Sequence, residues 1–177
     1  MMHNNDEIEY LISHEQRNKF ITNLTLDLKG NTLVLYSRVE AHGAVLYEKI
    51  NTNKTGSLFD RQRNILLHAQ MQQRQRLKNL DRFVSNPTAV LIATDVAARG
   101  LDIKDVQHVV HYQVPRTAEG YVHRSGRTAR AQKEGLSVIM IEPGENIMYK
   151  KTCHTLKRKE ELPEFPIDNS IFSSVKK

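Results

Sequence analysis

Cysteine occurs once, as Cys153, in 177 residues. That excludes an internal disulfide framework and suits a reducing, intracellular compartment. No stretch approaches the roughly 18 consecutive apolar residues of a membrane span, so no membrane partner is expected. The opening residues, MMHNNDEIEY, carry no charged-then-apolar signal segment. Internal repeats and low-complexity tracts are also missing, which argues against a solenoid or a disordered linker. What is present is ordinary for a globular protein: 39% hydrophobic and 26% charged residues. The length fits one domain, 1–177, on a prior of roughly 100–200 residues per domain. A net charge of +6 favours a polyanionic partner, although many basic proteins bind no nucleic acid.

Strand-like and helix-like stretches alternate. TLVLY (32–36), AVLIAT (89–94), VQHVVHY (106–112) and LSVIMI (136–141) are short, apolar and rich in β-branched residues, and 65–68 is a weaker fifth run. Near-continuous apolar strands are what a parallel sheet covered on both faces requires. Between them, Ser13 and Gln16 have capping-box spacing, Phe20, Leu24 and Leu28 share a helical face, and Gly30 supplies a stop. In 71–84 the apolar Leu77, Leu80 and Val84 recur at helical spacing, and Arg74, Arg76, Lys78 and Arg82 fill much of the rest. A last helix is expected over 145–159. The alternation predicts an α/β domain with a central parallel sheet and ligands beyond the carboxyl ends of its strands. The polar 51–57 stretch (NTNKTGS) and the tail 163–177, with Pro163 and Pro166, read as loops.

The residues that carry chemistry lie in 93–130. ATDVAARGLDI (93–103) leaves a strand and enters a turn at Gly100. In YVHRSGRTAR (121–130), Arg124, Arg127 and Arg130 recur every third residue, which aligns guanidiniums along one side of a helix or tight turn. Crowded arginines repel unless an anion lies opposite, and arginine suits bidentate phosphate contact. Spacing alone leaves a solvated basic face and an anion site both open. Asp95 reads equally as a structural partner of arginine and as a functional group, and Thr94 as an ordinary strand-end hydroxyl or a ligand contact. His108 and His111 fall on opposite faces of one strand without neighbouring ligands, so packing is preferred and no metal site is expected. Cys153 reads as an inert thiol, and the basic cluster 157–159 as a solvated helix end.

ATDVAARGLDI and HRSGRTAR resemble helicase motifs V and VI of the DEAD-box RNA helicases. HYQVPRTAEGYVHR resembles that family's connecting segment, QQRQR its Gln-x-x-Arg element, and NTLVLYSR stands in the place of motif IV. The resemblance implies a three-layer RecA-like second domain, the C-terminal half of an ATP-dependent RNA helicase. On its terms Arg127 and Arg130 are arginine fingers on ATP, and Asp102 accepts from the ribose hydroxyl, with Gly100 beside the nucleotide. His123 and Arg124 sense the assembled interface with a first RecA-like domain. Gln73, Arg76, Thr94, Arg99 and Gly100 form the RNA-backbone surface, possible for DNA as well.

No G-x-x-x-x-G-K-[ST] loop and no Asp-Glu-Ala-Asp run occur in the chain. ATP with magnesium is therefore expected to be bound mainly by a first domain, and the isolated chain is expected not to hydrolyse ATP. Residues 56–177 resemble the ribosome-biogenesis branch, which implies a nuclear or nucleolar location, or otherwise a cytoplasmic one. Residues 1–55 are more similar to UvsW-type helicases that remodel branched DNA. That difference suggests a chimera joined near 51–63, with a single divergent lineage as the alternative, and two rival readings of function: an inactive recombined domain, or half of a DNA-remodelling helicase. Gly120, within the helix leading to motif VI, predicts a looser helix, since glycine there costs about 1 kcal/mol relative to alanine.

Overall fold

In a computed structural model of the chain the described residues are 5–11, 17, 20, 21, 24, 28, 30–36, 63–99, 103, 106–129, 134–158, 162 and 163, with backbone alone for 5–11 and 99. Six strands form one sheet: β1 (Asn5–Leu11), β2 (Thr32–Tyr36), β3 (Asn64–Leu67), β4 (Val90–Thr94), β5 (His108–His111) and β6 (Gly135–Ile141). Their order is β1-β6-β5-β2-β4-β3, and every pairing is parallel. Among the described residues the α-helices with defined bounds are α1 (Gln73–Ser85), α2 (Asp95–Arg99), α3 (Ala118–Ser125) and α4 (Asn146–Thr155).

Strand alternation sorts the apolar side chains into layers. Val34, Tyr36, Ile92, Val110, Val138 and Met140 pack on one side with Phe20, Ile21 and Leu24, which are helical. Leu33, Leu35, Leu67, Leu91 and Val109 pack on the other with Phe83 of α1 and with Ala97 and Ala98 of α2. Ile139 and Ile141 carry Tyr121 of α3 and Tyr149 of α4. The result is the three-layer α/β arrangement that near-continuous apolar strands predict.

Four of the five expected strands coincide with observed ones to within two residues at each end; the weak run at 65–68 is β3, one residue earlier. The sixth, β1, was not expected from its sequence. Asp6, Glu7 and Glu9 interrupt the apolar pattern, and the strand pairs only with β6, at the sheet edge. In α1 the buried face meets the predicted one only at Leu80, which packs partly buried against the core. Asn79 and Phe83 are buried, whereas Leu77 is 46% and Val84 72% exposed. The reason is a polar anchor: the Asn79 amide donates to the Leu66 carbonyl (2.8 Å) and accepts from Gln75 (2.8 Å). This sets Asn79 and Phe83 against the sheet with Leu80 partly buried beside them, while Leu77 and Val84 face outward.

Gly30 does not stop its helix by a left-handed turn, since no described glycine has positive φ. Its place is one of close approach, where a Cβ would stand 1.7 Å from Gln107 Oε1 and 2.8 Å from His108 Cε1. The last helix begins after a short 3-10 turn, Pro143–Glu145, in which Glu142 and Glu145 form a capping box. It ends at Thr155, earlier than expected. Ser13, Gln16, the 51–57 loop, Lys159 and Pro166 lie outside the described residues.

Candidate functional site

β4 ends in Thr94, and the chain turns at once into α2. The Thr94 hydroxyl is buried and accepts from the Ala97 amide (3.2 Å), so it caps the start of that short helix. On the same turn the Ala97 carbonyl accepts from Arg76 Nη2 (3.5 Å), and Arg76 Nη1 donates to Gln73 Oε1 (3.0 Å). Gln73, Arg76 and Thr94, separate in sequence, thus meet around Ala97, with Gln73 exposed. The α2 backbone carries Arg99 to the same region. The Arg99 side chain, Gly100, Asp102 and Arg130 lie outside the described residues.

Beyond the carboxyl ends of β2 and β4 is a small hollow lined by Leu35, Asp95, Ala98, Gly120, His123, Arg124 and Arg127. Arg124 is 3% exposed and grips Asp95 bidentately, Nε to Oδ1 at 2.6 Å and Nη2 to Oδ2 at 2.5 Å, with a third bond from Nη1 to the Gln113 carbonyl at 3.0 Å. Of the two readings of Asp95, the arginine partner is the one the geometry contains. Arg127 is buried as well. Its Nη1 donates to the Ile103 carbonyl (3.1 Å) and its Nη2 lies 3.2 Å from Nε2 of the exposed His123. The hollow therefore presents two guanidiniums against one carboxylate at the sheet end where α/β domains bind ligands.

α3 holds this arrangement in place. Thr117 caps it, accepting from the Gly120 amide (3.0 Å), so Gly120 occupies a capped first turn rather than a loose middle one. Beneath it, His111 is fully buried and stacks on Tyr121 with centroids 5.0 Å apart. His111 Nε2 lies 3.2 Å from the hydroxyls of both Ser125 and Ser137. Above it, the Arg158 guanidinium stands 5.1 Å from the Tyr121 ring centre. Sequence reasoning placed His111 in the packing, which is where it lies, but could not see that it supports the arginine-bearing helix. Its partners come from α3 and β6. Ala129, just after Thr128, adopts φ 51°, an unusual conformation for a residue with a Cβ.

Burial, and then the positive charges of Arg124 and Arg158, hold the His111 pKa well below the usual histidine value. Burial also lowers that of His108. The unfolded chain then takes up protons near pH 6.5 that the folded chain refuses, so stability is lost as pH falls below that value. The slope should reach about 1.4 kcal/mol per pH unit for the fully buried His111. Urea unfolding at about pH 7 and pH 5.5 is expected to show a smaller acid loss in His111→Gln than in the natural chain. Equal losses would remove His111 as the cause.

The helicase conserved C-terminal domain family matches residues 15–132. The chain belongs to that family. This helicase domain is 58% identical over 112 residues to the human ATP-dependent RNA helicase DDX24, covering 63% of this chain and 13% of that protein. It is 53% identical over 111 residues to the mak5 helicase of Schizosaccharomyces pombe, 62% of this chain and 17% of that one. The helicase domain thus spans a small fraction of these relatives. Among solved structures, the C-terminal domain of the DEAD-box protein Dbp5 superposes with a TM-score of 0.79 at 21% identity, covering 98% of this chain and 97% of that one. SrmB of E. coli does so with a TM-score of 0.77 at 24% identity, covering 97% and 95%. The RecA-like fold is therefore that of DEAD-box C-terminal domains. One family match runs unbroken across the 51–63 region, so the suggested chimera and its DNA-remodelling variant find no support. Among the described residues no helix is long and apolar enough to cross a membrane, and no group of three His, Cys, Asp or Glu could hold a metal ion.

Proposed function

We propose that this domain is the C-terminal half of an ATP-dependent RNA helicase, as its relatives DDX24 and mak5 are named, of the ribosome-biogenesis branch that its sequence resembles, acting in the nucleus or nucleolus. The observation that carries the reading is the presence of two distinct arginine-bearing clusters at one end of the sheet. Gln73, Arg76 and Thr94 gather around Ala97, while His123, Arg124 and Arg127 line the hollow beyond β4. The first group, with Arg99 and Gly100, is assigned to RNA phosphate and sugar. Such contacts give sequence-independent, salt-sensitive binding. Supporting this, the superposable domain 2 of Mss116p is described as bound to an RNA duplex.

The second group is assigned to the nucleotide. Guanidinium and imidazole donors in a hollow fit a phosphate anion, whereas the described residues offer no carboxylate set for magnesium. ATP with magnesium would be held mainly by a first RecA-like domain, and it supplies the bond whose hydrolysis drives release. Here Arg127, with Arg130, would turn toward the γ-phosphate when the domains close, leaving His123 and the Ile103 carbonyl. Related fingers contribute about 10³–10⁵ in rate. Asp102 would accept from the ribose hydroxyl beside Gly100. His123, exposed, would meet the partner domain, and Arg124 would act from within by holding α3 against Asp95.

Titration of single-stranded RNA at several salt concentrations tests the division. Arg76→Ala is expected to weaken binding and to reduce the slope of log affinity against log salt by about 0.7. Arg127→Ala should change neither without ATP and a first domain. Equal losses in both would mean one undivided basic patch.

A further inference from the structure

Three cations of α1 belong to neither surface. Arg74, Lys78 and Arg82 follow one another at four-residue steps, so they form a single row along the helix. All three are exposed, and none forms an ion pair with a described residue. The only acid on the helix, Asp81, is also exposed and unpaired with them. Like charges at this spacing repel, so the row is an arrangement that an anion would relieve. Its geometry is rigid: Phe83 is buried in the core and Asn79 is bonded to the β3 backbone, which fixes the opposite face.

The row begins at Arg74, next to Gln73, and runs away from the Ala97 cluster in steps of about 6 Å. A flexible single strand can match such steps with successive phosphates. We propose that Arg74, Lys78 and Arg82 form a second phosphate track, on which RNA leaving the Gln73–Arg76 contact continues along the outer face of α1. This rests on the RNA reading above and extends it to longer strands. The exposed Leu77, one turn from Arg74, offers bases an apolar edge; with Val84 it forms a strip beside the row that an acidic amphipathic peptide would use. The continuity of the row with Gln73 favours RNA.

The experiment compares oligouridylates of roughly 6 and roughly 15 nucleotides on the 177-residue chain and on its Arg74→Gln/Lys78→Gln/Arg82→Gln variant, at several salt concentrations. Glutamine keeps helix propensity and removes only charge. The natural chain should bind the longer strand more tightly. The variant should lose that gain, with a salt slope lower by about 2 for three single-strand contacts, and should bind the short strand unchanged. Loss of both strands in the natural chain would overturn the track together with the RNA reading. Binding of the long strand alone, dependent on the row, would uphold the track while overturning the Gln73–Arg76 site as the primary contact. Unchanged binding of both strands by the variant would overturn the track. So would a variant that keeps RNA but loses a Glu-rich helical peptide carrying leucines at seven-residue spacing, which would make the face a protein-docking surface.

Discussion

Arg124→Ala should lower the unfolding free energy by about 3 kcal/mol or more, the lower end of the range for breaking a buried ion pair. The arginine is 3% exposed and Asp95 25%, so its removal leaves a carboxylate only partly reached by water and takes a donor from the Gln113 carbonyl. Asp95→Asn should cost less than Arg124→Ala, because the carboxamide can still accept from the guanidinium. Arg124→Lys should recover little, since an ammonium cannot reproduce the two parallel bonds. Urea unfolding followed by circular dichroism measures all three. A loss below about 1 kcal/mol for Arg124→Ala would show that the pair behaves as a surface contact. Because the pair ties the end of β4 to α3, the same variant should displace Arg127, visible as shifted amide resonances at Val106, which donates to the Arg127 carbonyl (3.2 Å).

Arg17→Met is expected to produce a loss of similar size by a different route. Arg17 is 1% exposed. It pairs with Glu142 at 3.1 Å and with Glu145, donates to the Met140 carbonyl at 3.1 Å, and lies 5.3 Å from the Tyr112 ring centre. Glu145 in turn accepts from the Val114 amide (3.3 Å). One guanidinium therefore joins the first covering helix to β6, the 3-10 turn and the segment before α3. Removing it strands two part-buried carboxylates, at a cost of about 3–5 kcal/mol. Adding Glu142→Gln and Glu145→Gln should restore part of the loss, because the orphaned charges go with the cation. Failure of that rescue would mean that the methionine does not fit the space, rather than that charge was lost. Burial also raises the phenol of Tyr112, to about 12, although the Arg17 charge opposes the rise, so the ring stays neutral beside its cation throughout the working range.

These two arginines show where the sequence was legible and where it was not. Arg124 sits in HRSGRTAR, whose letters mark it for attention. Arg17 sits in a polar stretch, and its partners lie on β6 and the turn after it, so no local pattern reveals it. The apolar runs gave β2, β4, β5 and β6 because buried parallel strands write their position directly into composition. β1 escaped because an edge strand tolerates charge on its open side. The α1 face was misjudged at Leu77 and Val84 because one buried asparagine, satisfied by the β3 backbone, outweighed those two apolar positions. The meeting of Gln73, Arg76 and Thr94 was foreseen only through resemblance. Spacing within α1 says nothing of α2, and the contact forms through a backbone carbonyl.

The pairing of β1 with β6 has a consequence for how the chain acquires its shape. The first strand waits for the last, so the sheet cannot close until nearly all of the chain is available, and loop-closure entropy must be met before that pairing is rewarded. During synthesis the inner strands would be assembled first, and β6, once formed, would hold an open edge until β1 returned to it. A molecule that loses its first dozen residues would keep that edge permanently, with the backbone groups of Gly135–Ile141 free to pair with another copy. The acidic strand that sequence patterning passes over is what covers that edge.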